Sequence, residues 1–283
     1  MTDSQKDFTR TPNTPRLEEY QKQFAEVLIL ERKNGILQAR LHTKGGPFVW
    51  SPQAHYMLLE AWLTIGLDPD NEVLILTSTD PYWINEFDKN SFAAWDATVD
   101  PDLRFNGLYR PLKSVENFLW GIDIPTIGAI NGPGSVHANF ALLCDITICT
   151  PNFVLEDSHF SHDTIPGDSI GLLLQGFIGT KRAAHMMYNM GNGINAKSAL
   201  EMGIVNEVLP AEKILPRAWE LAEQIMKNSR PTRRMTHQLI VRPLKRLFTE
   251  DYMFHITSEM YGFALNKTKH DFEQLKKKVD AAA

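Results

Sequence analysis

Ionisable side chains are concentrated in one short stretch of the sequence. Six of the thirteen residues from position 156 to position 168 are acidic residues or histidines, namely Glu156, Asp157, His159, His162, Asp163 and Asp168. A histidine held by an aspartate can take a proton from water, because the carboxylate fixes the tautomer of the ring and stabilises its charged form. His159, His162 and a carboxylate such as Asp163 could instead bind a metal. A solvated acidic loop would have the same composition, so the spacing alone leaves three interpretations open.

A second candidate site lies between Asn131 and His137, where Asn-Gly-Pro-Gly-Ser-Val-His joins an apolar strand to an apolar helix. The two glycines permit a tight turn whose backbone N–H groups could bind an anionic oxygen. His137 would then stand at the start of the helix and could donate a hydrogen bond to a developing negative charge. A helix-capping or buried structural histidine is equally compatible with this position. Ser135 is not the central residue of a Gly-x-Ser-x-Gly elbow, so a serine hydrolase is not indicated.

Three further residues have the chemistry to line a pocket. Trp50 follows a Gly-Gly-Pro turn, and its indole N–H could reach a ligand carbonyl, although burial in the core is the simpler expectation. His55 lies close to the start of the first strongly amphipathic helix. Glu259 lies among aromatic residues and a histidine of a C-terminal helix, and the composition there favours a carboxylate that faces water.

The elements that must position these residues begin with a hairpin and a helix. Two short strands, predicted at Val27–Glu31 and Ile36–Thr43, are separated by a Lys-Asn-Gly turn. Ser51 and Pro52 supply a capping residue and a first-turn proline before an apolar stripe of helical spacing. Continuous apolar runs then predict buried parallel strands joined by helices, at Val73–Leu76, Ile124–Ile130 and Ile146–Ile148.

The last third of the chain has a different pattern. From about Ala196 onward, apart from a short apolar run at Ile204–Leu209, the sequence predicts consecutive amphipathic helices. Arg230-Pro231 and Arg242-Pro243 are predicted breaks between them, because proline disfavours a helical conformation in the residue before it.

The overall composition is that of a globular α/β protein. The apolar fraction is 43%, the charged fraction is 22% and the net charge is −5, which gives no basic footprint for nucleic acid. The two cysteines, Cys144 and Cys149, have a spacing that strand geometry places on opposite faces, so we expect no disulfide between them and a reducing compartment. The polar first residues have no signal-peptide pattern, and no stretch of 18 apolar residues occurs, so we expect a cytoplasmic protein without a membrane partner.

Three ordered motifs make the chain resemble a known superfamily. They are Ile124-Pro-Thr-Ile-Gly-Ala-Ile-Asn131-Gly132, Leu143-Cys-Asp145-Ile and Ala199-Leu-Glu-Met-Gly-Ile-Val-Asn-Glu-Val-Leu-Pro210. Together they resemble the crotonase (enoyl-CoA hydratase/isomerase) superfamily over roughly residues 27 to 226. The resemblance implies an α/β fold with a ββα superhelix core and a C-terminal helical region, and a homotrimer or a dimer of trimers. The expected organisation is a flexible leader (1–24), the ββα core (25–209) and a helical trimerisation region (210–283).

The chain departs from the CoA-dependent members at both segments that bind a thioester oxygen. A Gly-Gly-Gly type stretch is replaced by Ser-Val-His-Ala around His137, and the Ala-Gly-x-Asp pattern is replaced by the glycine-free segment Trp83–Asp88. With Val-Trp-Ser at residues 49–51 and Pro-Gly-Asp at residues 166–168, these departures are similar to the β-diketone hydrolases of the superfamily, the group of 6-oxocamphor hydrolase. That resemblance assigns six residues to the site: His159 and Asp168 to water activation, His137 to a carbonyl or enolate oxygen, Trp50 to a substrate carbonyl, and His55 and Glu259 to the pocket wall.

The sequence therefore predicts a hydrolase that cleaves the bond between the two carbonyls of a cyclic or bicyclic β-diketone and forms a keto acid. No metal or organic cofactor is expected, because the second carbonyl of the substrate accepts the electrons of the broken bond. The alternatives are a CoA-dependent hydratase or isomerase, a metallohydrolase, and a scaffold that has kept the fold without activity.

Overall fold

The structure, a computed structural model, describes residues 10–96, 100–189 and 193–282. The strands are β1 (Leu28–Lys33), β2 (Ile36–Leu41), β3 (Val49–Trp50), β4 (Val73–Ser78), β5 (Glu86–Phe87), β6 (Thr126–Ile130), β7 (Ile146–Cys149), β8 (Val154–Leu155), β9 (Ile194–Asn195) and β10 (Glu207–Val208). The helices are α1 (Leu17–Gln23), α2 (Pro52–Leu67), α3 (Lys89–Asp96), α4 (Pro101–Gly121), α5 (Asn139–Leu142), α6 (Ile170–Ile178), α7 (Thr180–Asn189), α8 (Ala196–Glu201), α9 (Ala211–Met226) and α10 (Arg230–Ala282), with a 3-10 turn at Phe160–His162.

The central sheet is mixed at one edge and parallel elsewhere. Its six strands lie in the order β1-β2-β4-β6-β7-β10, and only β1 and β2 are antiparallel. They form the expected hairpin, whose two turn residues, Asn34 and Gly35, have positive φ angles of 51° and 83°. Such a turn matches the right-handed twist of the paired strands, and asparagine and glycine tolerate it best. The Lys-Asn-Gly prediction is therefore confirmed.

Helices cover both faces of the sheet, as parallel strands require. On one face, Ala54, Leu58 and Ala61 of α2 are buried in the main core. On the other face, Ile214 and Ala218 of α9 belong to a second cluster with residues of β2, β4, β6 and β7. The Ser51 side chain caps α2 by accepting a hydrogen bond from the backbone N–H of residue 54, as its sequence predicts.

The packed part of the chain begins inside the expected leader of residues 1–24. Residues 1–9 lie outside the described part of the chain, but Tyr20 of α1 is only 2% exposed and Phe24 only 1%. The Tyr20 hydroxyl also donates to the buried Asp68 carboxylate at 2.9 Å. The segment from Leu17 to Phe24 is therefore fixed against the core, because burial of two aromatic rings outweighs its polar composition.

One predicted helix break is wrong. Arg230 and Pro231 do begin a helix, but Pro243 lies inside α10 and does not end it. A proline inside a helix removes one hydrogen bond, here the one to the Leu239 carbonyl. Leu239 is 70% exposed, so water can replace the missing donor. The helical character of the C-terminal region is as expected, and its role in trimerisation stays a prediction.

Cys144 and Cys149 are both free and buried. The absence of a disulfide is as expected, but Cys144 lies in the turn before β7, so the argument from strand spacing does not apply to it. None of the helices in the described ranges combines the length and the apolar character of a membrane span.

Candidate active site

The predicted acidic segment folds around the imidazole of His159. This residue lies four positions after β8 ends and directly before the 3-10 turn. The Oδ1 atom of Asp157 accepts two hydrogen bonds from it, one from the backbone N–H and one from Nδ1, each 2.8 Å long. An aspartate that accepts the N–H two residues onward forms an Asx-turn, which locks the local backbone. Asp157 is 6% exposed, so its carboxylate is shielded from water.

Two more carboxyl groups surround the same ring. Glu259 of α10 places Oε1 3.6 Å from His159 Nε2, and Asp168 lies close enough that the ligand atoms of Asp157, His159 and Asp168 are all within 4.8 Å of one another. Gly167 permits this approach, since an added Cβ would lie 2.2 Å from the His255 carbonyl oxygen and 2.6 Å from the Glu259 Cβ. The glycine thus sets how closely α10 can approach the acidic segment.

The three carboxyl groups control the protonation of this cluster. Burial alone would lower the pKa of His159, but the hydrogen bond to Asp157 and the surrounding negative charges outweigh it and raise the pKa to about 10. Burial raises the pKa of Glu259 and of Asp168, and each is raised further by neighbouring carboxylates. One oxygen of each carboxyl group is buried without a hydrogen-bond partner in the described part of the structure. His159, Asp168 and Glu259 therefore share protons near neutral pH.

The second half of the site consists of rings. Trp50, at the end of β3, stacks on His137 with the ring centroids 3.8 Å apart and the planes inclined by 27°. Its indole Nε1 lies 3.0 Å from His55 Nε2 and 3.2 Å from His55 Nδ1. The His55 and His137 rings meet edge to face at 5.0 Å. Because Trp50 is fully buried, the tryptophan holds both imidazoles in fixed positions.

Both imidazoles in this half are neutral near pH 7. Burial lowers the pKa of His55 to about 3, only partly offset by a hydrogen bond to Ser51. Burial also lowers the pKa of His137 well below its usual value, and positive charge on His55 and His159 lowers it further. A neutral imidazole can still donate a hydrogen bond from its single N–H group. Nδ1 of His137 is buried and has no hydrogen-bond partner among the described residues, so it can serve a ligand.

The segment that carries His137 is held in an unusual conformation. The φ angle of His137 is 47°, a left-handed value that costs energy in residues other than glycine. Gly132 and Gly134 make the preceding turn possible, since a Cβ would lie 2.0 Å from the Pro81 carbonyl oxygen or 2.4 Å from that of Ile84. The segment is tied to its neighbour by a hydrogen bond from Val136 N to Ile84 O of 3.2 Å.

Asn139 connects the two halves of the site. Its side-chain amide donates to the Ser169 hydroxyl at 2.8 Å and to the Asp168 backbone carbonyl at 3.2 Å. It is fully buried two residues after His137. The asparagine thus fixes the distance between the acidic cluster and the ring cluster. Sequence reasoning missed this residue, and a polar side chain in the otherwise apolar run after His137 was the available signal.

The structure brings the six expected site residues together but changes two of their partners. The expected dyad pairs His159 with Asp168, whereas the carboxylate that accepts the hydrogen bond from the His159 ring is that of Asp157. An Asp-Ser-His sequence is typical of an Asx-turn, and that signal would have identified Asp157. The Trp50 N–H is paired with His55, so its expected bond to a substrate carbonyl stays a prediction that requires this contact to open.

The remaining expectations concern Glu259 and the alternative metal site. Glu259 is 6% exposed and faces His159, so the composition-based expectation that it faces water is wrong. His162 is exposed and its Nδ1 donates to the Ser158 carbonyl oxygen at 2.7 Å, which places it outside the cluster. The alternative metal set of His159, His162 and Asp163 is therefore not assembled. Within the described ranges, the residues that could hold an ion are Asp157, His159 and Asp168.

Comparison with known proteins places this geometry in a family. The family model for enoyl-CoA hydratase/isomerase matches residues 31–279, almost the whole chain. The chain belongs to the enoyl-CoA hydratase/isomerase family. Among curated proteins in this family, a carnitinyl-CoA dehydratase of Escherichia coli (strain K12) is 28% identical over 73% of this chain and 77% of its own. A putative enoyl-CoA hydratase of Thermus thermophilus is 25% identical over 68% and 74%, respectively.

Solved structures of the family give a more specific similarity. A β-diketone hydrolase from the cyanobacterium Anabaena sp. PCC 7120, bound to (S)-3-oxocyclohexyl acetic acid, is 31% identical with a TM-score of 0.79 and covers 87% of this chain and 96% of its own. An enoyl-CoA hydratase/isomerase from Mycobacterium paratuberculosis has a TM-score of 0.74 at 19% identity, covering 84% and 94%, and shows the shared fold alone. The predicted resemblance to the crotonase superfamily and to its β-diketone hydrolases is confirmed.

Proposed function

We propose that this family member hydrolyses the carbon-carbon bond between the two carbonyls of a cyclic or bicyclic β-diketone. The observation that carries the proposal is the division of the site into an acidic half around His159 and a neutral half around His137. The first suits proton transfer and the second suits hydrogen bonding to an anionic oxygen. The similarity to a β-diketone hydrolase supports the same reaction class. The keto acid bound to that relative carries a ketone and a carboxylic acid, the two groups that such a cleavage leaves.

The reaction uses one water molecule and balances without a co-reactant. His159 Nε2 removes a proton from water while the water oxygen attacks one carbonyl carbon. The tetrahedral intermediate collapses, the bond from that carbon to the central carbon breaks, and the electron pair moves onto the second carbonyl as an enolate. His137 stabilises the negative oxygen through a hydrogen bond. Protonation of the enolate carbon by the His159 imidazolium gives the keto acid and returns the base.

The acidic cluster sets when His159 can act as a base. With a pKa of about 10, the ring carries a proton in the resting site at neutral pH. That proton can move to Glu259 or Asp168, because burial raises the pKa of both carboxyl groups. The imidazole and the carboxyl group that accepts the proton then hold the same number of protons as before, but both are neutral. We therefore expect activity to rise with pH across the neutral and mildly alkaline range.

The test uses purified protein treated with a chelator and a panel of cyclic 1,3-diketones. Loss of diketone absorbance together with a keto acid heavier than the substrate by one water, seen by mass spectrometry, supports the proposal. His159→Asn serves as the inactive control and His162→Asn as the control for mutation at an exposed histidine. Turnover of acyl-CoA thioesters without any diketone cleavage would overturn it. Diketone cleavage that requires added divalent metal would move the chemistry to a metal held by Asp157, His159 and Asp168.

A further inference from the structure

We infer that Asp157 is the positioning residue that holds His159 in the Nδ1–H tautomer and leaves Nε2 for proton transfer. The use of Nε2 in catalysis rests on the proposed function, but the tautomer does not. The sequence resemblance assigned this partnership to Asp168. The Asp157 and Asp168 carboxyl groups make different contacts, and each difference has a measurable consequence.

The geometry around Asp157 determines which ring nitrogen carries the proton. Oδ1 of Asp157 accepts the His159 backbone N–H at 2.8 Å, so this oxygen acts as an acceptor. The same oxygen lies 2.8 Å from Nδ1, and a carboxylate can only accept. Nδ1 must therefore be protonated. Nε2 is left on the opposite side of the ring, facing Oε1 of Glu259 at 3.6 Å, beyond direct hydrogen-bond distance.

Asp157 is held close to a strand and hydrogen-bonds the His159 ring, whereas Asp168 is fixed through contacts with other residues. It follows β8 by two residues, and β8 is paired with β9 through the Leu155 and Ile194 register. The side chain of Asp157 is 3% exposed, against 25% for His159. Asp168 instead lies across the 3-10 turn from His159, where its carboxylate accepts a hydrogen bond from the Ile170 backbone N–H and its backbone carbonyl accepts one from Asn139. Its carboxylate acts on the ring through charge.

The charged and titratable groups that face His159 come from four elements. Asp157 approaches from the end of β8, Asp168 from the start of α6, Glu259 from α10 and His137 from the segment before α5. The three carboxyl groups raise the pKa of His159, whereas His137 is neutral. Removing the charge of either aspartate should therefore lower the His159 titration midpoint, but only loss of the Asp157 acceptor should change the tautomer.

The experiment compares Asp157→Ala, Asp157→Asn and Asp168→Asn in full-length protein labelled with ¹⁵N-histidine. Imidazole nitrogen shifts report both the titration midpoint and the position of the proton in the neutral ring. Asp157→Asn keeps an oxygen acceptor, so we expect the Nδ1–H tautomer with a midpoint lowered by about one pH unit or more. Asp157→Ala should lose the single tautomer and, where diketone is turned over, lower kcat by about 10²-fold. Asp168→Asn should lower the midpoint and keep the tautomer.

Glu156→Gln is the matched control, since Glu156 is the adjacent but exposed carboxylate, and its spectra should equal those of the unmodified protein. An unchanged tautomer and midpoint in both Asp157 variants would overturn the inference, as would loss of the tautomer in Asp168→Asn alone. If Asp157→Ala fails to fold, Asp157→Ser decides the question, because serine can keep the turn to the His159 backbone N–H but is too short to hold Nδ1, so the single tautomer should again be lost. If the expected spectra appear in a protein that cleaves no diketone, the proposed function fails while the role of Asp157 stands.

Discussion

The two halves of the candidate site are built from the same residue type and have opposite protonation. His159 lies among Asp157, Asp168 and Glu259 and has a raised pKa, whereas His55 and His137 pack against Trp50 and have lowered ones. All three imidazoles are at least partly buried, so burial alone does not distinguish them. The difference comes from the neighbours, which are carboxylates in one half and rings in the other.

The different neighbours allow one site both to move a proton and to stabilise an anion. A histidine with carboxylate partners can gain and lose protons without an isolated charge appearing in the interior. A histidine stacked on tryptophan stays neutral and keeps an N–H donor for an oxygen. The positions are fixed because Asn139 joins the two segments and Gly167 lets α10 reach the acidic half.

The largest effect should follow from removing the base in the acidic half. We expect His159→Asn to lower kcat by about 10²- to 10⁴-fold, the usual contribution of a general base. His162→Asn changes an exposed histidine three residues away and should leave kcat unchanged. Steady-state kinetics of both folded variants check this. Near-normal turnover by His159→Asn would remove the ring from the chemistry.

The next effect should come from the ring half. Asparagine tolerates the left-handed backbone of residue 137 but is too short to replace the imidazole, so His137→Asn tests the side chain without adding backbone strain. We expect kcat to fall by about 10²- to 10³-fold and KM to change less, because the hydrogen bond strengthens as charge develops. A variant with raised KM and normal kcat would instead assign His137 to substrate binding alone.

A smaller effect should come from the contact that brings α10 to the acidic half. In Gly167→Ala the new Cβ would collide with the His255 backbone and the Glu259 side chain, so we expect about 1–3 kcal/mol of destabilisation and reduced activity. Gly171→Ala is the matched control. Its Cβ meets the flexible Met187 side chain at 3.4 Å inside α6, where alanine favours the helix by about 0.5–1 kcal/mol. Urea unfolding of both proteins measures the difference, and equal stability would show that α10 moves freely.

The pH dependence of stability changes no rate at a fixed pH, but it should have opposite signs in the two halves. His55 stays neutral in the fold down to about pH 3, whereas the unfolded chain binds a proton below about pH 6.5. Its contribution is therefore complete above about pH 6.5 and is lost as the pH falls. Glu259 has a raised pKa, so its contribution is present at acid pH and is lost as the pH rises through that pKa.

Unfolding free energies at a series of pH values test these signs. His55→Gln should reduce the slope of unfolding free energy against pH on the acid side of the curve. Glu259→Gln should reduce it on the side of higher pH. Each change in slope is at most about 1.4 kcal/mol per pH unit. A change on the same side in both variants would mean that the halves do not differ in protonation as the structure indicates.

Local signals in the sequence were sufficient for the first hairpin and for the start of α2, whereas the six site residues came from the family resemblance. Asn34-Gly35 specifies a hairpin turn and Ser51-Pro52 a helix start, because each depends on a few neighbouring residues. Pro243 was misjudged because a proline can be accommodated inside a long helix, here one turn after the exposed residue Leu239. Glu259 and His159 are 100 positions apart in the sequence. Their contact depends on the orientation of α10 where it packs against Gly167, and local sequence patterns do not determine that orientation.

Which aspartate holds the His159 ring, Asp157 or Asp168, also depends on the folded path of the chain. Both are aspartates in one polar segment, and the resemblance favoured the more distant one. Only the path of the chain through the Asx-turn and the 3-10 turn determines which carboxylate reaches Nδ1.

We propose that a water molecule activated at His159 cleaves the bond between the two carbonyls of the substrate. The most direct measurement is single-turnover cleavage of a cyclic 1,3-diketone in ¹⁸O-labelled water, with the keto acid analysed by mass spectrometry. We predict one ¹⁸O atom in the new carboxylate with the unmodified protein, and no keto acid above background with His159→Asn. Equal amounts of labelled product from both proteins, or no product from either while acyl-CoA is turned over, would contradict the account.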